Sequence, residues 1–135
     1  MELSYFKLLL ISYLKESHPD KADDHEFITE RSELATESYA QSIASGFTHM
    51  EAMEQANAVL YQGLHFSKYD ILFDILSEEF SDTVAEEQMG ERAFELFPMC
   101  ADVFAKYDLC DDFTDSPEYD KLYTELTGKL VEYGI

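Results

Sequence analysis

Apolar residues recur along this chain at intervals of three and four, and no stretch keeps up the period-two alternation of a strand. The first segment sets Leu3, Phe6, Leu10, Tyr13 and Leu14 on one helical face. Pro19 biases the residue before it away from helical geometry, so this helix is expected to stop at His18. A second helix is expected from an Asp23 cap, with Glu26 as the reciprocal partner and Phe27, Ile28, Leu34, Ala35, Tyr39 and Ile43 turned inward until Gly46. Thr48 and Glu51 spell another capping box, for a helix with Met53, Ala56, Leu60 and Tyr61 as its stripe and Gly63 at its end.

The fourth helix is announced by Ser67 as cap, Asp70 near the positive end of the helix dipole, and Phe66 stapled onto Ile71. It continues through Leu72, Phe73, Leu76 and Phe80, and a polar stretch from Ser81 to Thr83 is expected to interrupt it before the next helix. A further helix is expected from Glu86 to Phe97, and Pro98 either opens a segment from Met99 to Tyr107 or kinks a longer helix there. Ser116-Pro117-Glu118 then reads as cap, first-turn proline and early acid for a last helix carrying Tyr119, Leu122, Tyr123, Leu126 and Leu130. With no repeat and no low-complexity linker, the pattern predicts an all-α fold, residues 1–135 forming a single compact domain of about six or seven helices.

Three runs, ELSYFKLLL (2–10), GLHFSKYD (63–70) and LFPMCADVFAKYDLCDDFTDSPEYDKLYTELTG (96–128), together resemble a Bacteroidetes family of small acidic helical proteins. That family is a domain of unknown function often encoded on conjugative and other mobile elements. The resemblance implies a helical, cytoplasmic bacterial accessory protein in a mobile-element setting. It carries over no catalytic, cofactor or binding residue.

Composition narrows the partners. The 135 residues are 46% hydrophobic and include nine Tyr and ten Phe, enough for a real core. Against 29 acidic residues stand nine basic ones, a formal charge of −20 that repels phosphate backbones and anionic lipid and favours cationic partners. Direct nucleic-acid binding and membrane binding are therefore not expected. The apolar run 6–13 is too short to span a bilayer and lacks a basic start, so it is read as a core helix. Cys100 and Cys110 lie ten apart, outside any CxxC spacing, which suits a reduced cytoplasmic setting.

Several stretches contain residue types that do chemistry. His18-Pro19-Asp20-Lys21 matches the tetrapeptide with which J-domain co-chaperones stimulate an Hsp70 partner. Those proteins precede it with a basic helix, whereas this helix balances Lys7 and Lys15 against Glu2 and Glu16, so a helix-stopping turn is the preferred reading. The residues three before the histidines are Lys15, Ala22, Gly46 and Gln62, which excludes the Glu-x-x-His pairs of di-iron bundles. His25-Glu26 is not followed by x-x-His, and the acidic run 110–116 lacks the glycine and closing glutamate of an EF-hand. No metal, no cofactor and no catalytic residue is assigned, and Cys110, beside Asp108, Asp111 and Asp112, is expected to be a poor nucleophile.

The remaining feature is charge at helical spacing. Asp70, Asp74, Glu78, Asp82 and Glu86 follow one another at intervals of four, and a continuous helix would place like charges one turn apart. The expectation is a non-enzymatic acidic interaction protein that uses this face to bind a basic protein partner. The alternative is a small enzyme or ligand-binding helical domain with a pocket at His65, Ser67, Lys68 and Tyr69.

Overall fold

The computed structural model describes residues 2–135. Among the described residues there are seven α-helices: α1 Leu3–Ser17, α2 His25–Ala44, α3 His49–Leu60, α4 Lys68–Glu79, α5 Met89–Leu96, α6 Ala101–Phe104 and α7 Glu118–Glu132. Short 3-10 turns lie at Pro19–Lys21, Glu86–Gln88, Pro98–Cys100 and Phe113–Asp115, and there is no strand among the described residues. The fold is all-α, as the spacing predicts. The chain divides into two compact units, Met1–Leu64 and His65–Ile135.

In the first unit α1 buries Phe6, Leu10 and Leu14 completely. The inward face of α2 differs from the expected one: Leu34 and Ile43 are 50% and 42% exposed, while Ser32 and Ser42 are buried. Ile28, Ser32, Ala35, Tyr39 and Ser42 follow a four-three repeat, and the small residues among them belong to a helix that packs extensively on α3, which buries Ala52 and Ala56. Close packing of small residues on both helices prevails over the larger side chains of the flanks. The cap also shifts by one residue. Asp24, not Asp23, accepts the Phe27 N–H at 3.1 Å.

The Thr48–Glu51 capping box forms as expected: the Glu51 N–H donates to Thr48 Oγ1 at 3.2 Å and the Thr48 N–H to Glu51 Oε1 at 3.0 Å. These hydrogen bonds hold the Glu51 carboxyl below its ordinary value. Gly46 follows α2 with φ +94°, a conformation that a side chain would oppose.

In the second unit α4 packs against α5 and α7 and buries Ile71, Leu72, Ile75 and Leu76. Leu96, Cys100, Phe104, Leu122, Leu126 and Leu130 complete this core. The helix ends at Glu79, and Phe80 folds back into the core at 8% exposure. Residues 81–83 form a turn, so α5 opens at Met89 and not at Glu86. The final helix also starts later than Ser116 suggests. Pro117 occupies the cap position, and the Ser116 hydroxyl donates to the Phe113 carbonyl at 2.7 Å, closing the preceding 3-10 turn.

Candidate functional site

The acidic series is shorter than its spacing implies. Asp70, Asp74 and Glu78 lie on α4, but Asp82 falls in the turn after it and Glu86 opens the next 3-10 turn. Phe80 breaks the helix because its ring is drawn into the core, which ends the four-residue register. Two like-charge steps remain, costing about 0.4 to 1 kcal/mol together.

Tyrosines of α7 adjoin these three carboxylates. Tyr123 donates its hydroxyl to Glu78 at 2.7 Å and to Glu79 at 3.2 Å. Burial first, then the charges of Glu78 and Asp70, pushes the Asp74 carboxyl above the ordinary carboxylate value. Burial, followed by the charges of Asp74, Glu78, Asp120 and Asp70, raises the Tyr119 hydroxyl, and burial with the Glu78 hydrogen bond raises Tyr123. Both hydroxyls therefore keep their protons beside the carboxylates, and Tyr123 donates its own to them.

The basic residues of this unit are engaged elsewhere. Its ion pairs are Arg92–Glu95 at 3.3 Å, Lys106–Glu125 at 3.0 Å, Lys121–Glu118 at 3.1 Å and Lys129–Asp102 at 2.9 Å. Neither Asp74 nor Glu78 has an ion-pair partner among the described residues. The second unit carries 18 acidic against five basic residues, net −13, and the first 11 against four, net −7.

The alternative site residues hold the entry to α4. Ser67, 4% exposed, accepts the Asp70 N–H at 3.0 Å as the helix cap. Lys68 sets its ammonium 5.5 Å from the centre of the Phe104 ring. His65 is exposed, and its backbone N–H donates to Asp111 Oδ1 at 3.1 Å. Tyr69 stacks on Phe97 at 6.1 Å and 22°. A cleft of about 530 Å³ lies beside Thr83, Gln88, Glu91, Arg92, Glu95 and Ile135, where Arg92 is already paired to Glu95.

His18 is 6% exposed, with Nε2 2.7 Å from the Leu64 carbonyl, which also accepts the Tyr13 hydroxyl at 2.7 Å. Cys100 is buried, and that burial pushes its thiol up to about 11. Cys110 donates to Asp112 at 3.0 Å, a hydrogen bond that raises its thiol too, so neither sulfur is a thiolate at neutral pH. Among the described residues no group of three or more His, Cys, Asp or Glu is arranged to hold a metal, and no helix is long and apolar enough to cross a membrane.

The fold also brings together a run of ring contacts that spacing alone does not announce, Phe73, Tyr69, Phe97 and Phe94 across α4 and the end of α5. The signal present was Tyr69 with Phe73 four apart and Phe94 with Phe97 three apart, helical neighbours in each case.

No curated protein matches this chain. Its structure is similar to the crystal structure of protein PG0816 from Porphyromonas gingivalis, with a TM-score of 0.92 and 49% identity, covering 96% of this chain and 89% of that one. A family profile matches residues 1–133, and the chain thus belongs to the DUF1896 family, a domain of unknown function.

Proposed function

We propose that this protein is a non-enzymatic interaction protein whose acidic face on α4 binds a basic protein partner. The observation that carries the reading is the placement of charge: Asp74 and Glu78 lie on the outer surface of α4 while four of the unit's five basic side chains pair with other acids. A face that repels itself in the isolated protein gains when positive charge is brought to it, and the same field speeds encounter with a cationic surface. In the cytoplasmic, mobile-element setting that the sequence resemblance implies, the partner class is a DNA-handling protein whose phosphate-binding surface the acidic face would occupy.

The test is affinity capture from the native cell at about 50 and 300 mM salt, using the full chain and a variant with Asp74→Asn and Glu78→Gln. A basic protein retained at low salt, released at high salt and lost by the variant is the expected result. Capture that ignores both salt and the variant refutes the reading.

A further inference from the structure

The second unit carries, across α4 and α5, an aromatic strip at the edge of its core, with Tyr69 and Phe73 packed against the core and Phe94 turned outward. Phe73 and Tyr69 on α4 have ring centroids 6.2 Å apart, Tyr69 and Phe97 lie 6.1 Å apart and nearly parallel, and Phe97 and Phe94 meet edge to face at 5.8 Å. The first three are half-buried and Phe94 is 48% exposed. A close approach of the two helices supports the strip: a Cβ at Gly90 of α5 would stand 2.8 Å from the Tyr69 hydroxyl oxygen. With this hydrogen-only position beneath it, Tyr69 can lie across α5 toward Phe97.

The outer surface of α4 is thereby divided. At about 100° per residue, Asp70 and Ser77 point away from the buried quartet, Asp74 and Glu78 lie toward the α7 flank, and Phe73 and Tyr69 lie toward α5. Isolated exposed aromatics are ordinary, but four rings in unbroken contact, with Asp70 on the adjoining face of α4, make a patterned surface.

We propose that this strip is the docking surface for an arginine-bearing amphipathic helix of a protein partner. The proposal rests on the acidic-face reading above and names the chemistry of the partner segment. Charge complementarity chooses a cation. Ring faces beside carboxylates choose arginine over lysine, because a planar guanidinium stacks on an aromatic face while its N–H fork reaches a carboxylate. The contiguous rings call for apolar side chains on the same segment, and a helix of about three turns covers three centroid steps near 6 Å. A second copy of this chain fits poorly, since a two-fold contact would set the Asp70–Asp74 border of one copy against that of the other.

The probe is a synthetic helical peptide of about 14 residues with leucines on one face and arginines on the other, titrated into the ¹⁵N-labelled full chain. A lysine-for-arginine peptide and a scrambled arginine peptide without an apolar face serve as comparisons. The arginine helix is expected to bind most tightly, with shifts centred on Phe73, Tyr69, Phe97 and Phe94. Phe94→Ala is expected to weaken it about tenfold. Phe94→Leu keeps the volume and the fold, and is expected to erase the preference for arginine over lysine.

If Asp74→Asn weakens all three peptides while both Phe94 variants bind as the parent does, the strip is not the docking surface and the acidic face alone stands. If no peptide binds at about 50 mM salt, both readings fall. Self-association of the parent in sedimentation equilibrium, abolished by Phe94→Ala, overturns the choice of partner.

Discussion

The Leu64 carbonyl gives the most specific account of single residues. Its oxygen has two lone pairs and takes two donors, the Tyr13 hydroxyl and His18 Nε2, each at 2.7 Å. A ring nitrogen facing a carbonyl at that distance carries a proton, so His18 donates through Nε2. The ring also rests against Tyr13, with centroids 5.8 Å apart. His18 is thus committed to the Leu64 carbonyl at the end of α1, with Pro19 opening the 3-10 turn that follows. Tyr13→Phe deletes one donor and keeps the ring, so it is expected to lower unfolding free energy by about 0.5 to 1.5 kcal/mol in urea titrations. Asp20, exposed on the 3-10 turn, is expected to tolerate replacement by Asn within about 0.5 kcal/mol. A larger loss for Asp20→Asn than for Tyr13→Phe would reverse this assignment of roles.

At the scale of elements, α4 sets a well-capped apolar helix against its own surface charge. Asp74 has a folded-state pKa raised by burial, Glu78 and Asp70, so its ionised form opposes folding. Its favourable contribution is complete below the unfolded carboxylate value and is lost as pH rises through the higher folded one. Asp74→Asn is therefore expected to stabilise the protein at pH 7 by about 0.4 to 1 kcal/mol, the worth of its two like-charge steps. That gain should shrink to nothing in urea titrations taken down past the ordinary carboxylate range. Glu51 and Glu125 have lowered values, and their contributions run the other way, being lost as pH falls through those lowered values. Helix identities and two of the caps, Thr48 and Ser67, were readable from spacing because each depends on residues three or four apart. The length of the acidic face was legible only in part: the polar stretch 81–83 marks a break, but that Phe80 leaves the helix depends on a core supplied by residues distant in sequence. The aromatic strip was hidden for the same reason: the Tyr69–Phe97 contact spans 28 positions, and the absence of a side chain at Gly90 gains meaning only once α5 lies beside α4.

For the whole molecule, the balance of charge sets how stability responds to salt. The 29 acidic residues face only nine basic ones, and the described ion pairs are surface contacts, a class worth about 0 to 1 kcal/mol each. Repulsion among the unmatched carboxylates acts over longer distances than those pairs and has no internal remedy. Screening length falls from about 30 Å at 0.01 M to about 8 Å at 0.15 M ionic strength, so added NaCl removes the long-range repulsion first and leaves contact pairs less affected. Thermal unfolding followed by circular dichroism is thus expected to show Tm rising between about 10 and 300 mM NaCl, by roughly 3 to 6 °C for each 1 kcal/mol of repulsion screened. The rise should be smaller in a variant with Asp74→Asn and Glu78→Gln, which removes part of the acidic face at the outset. A Tm that fell with salt would mean that the Lys106–Glu125 and Lys129–Asp102 pairs outweigh the net charge of −20, and the acidic surface would then be internally compensated, with no remaining demand for a cationic partner.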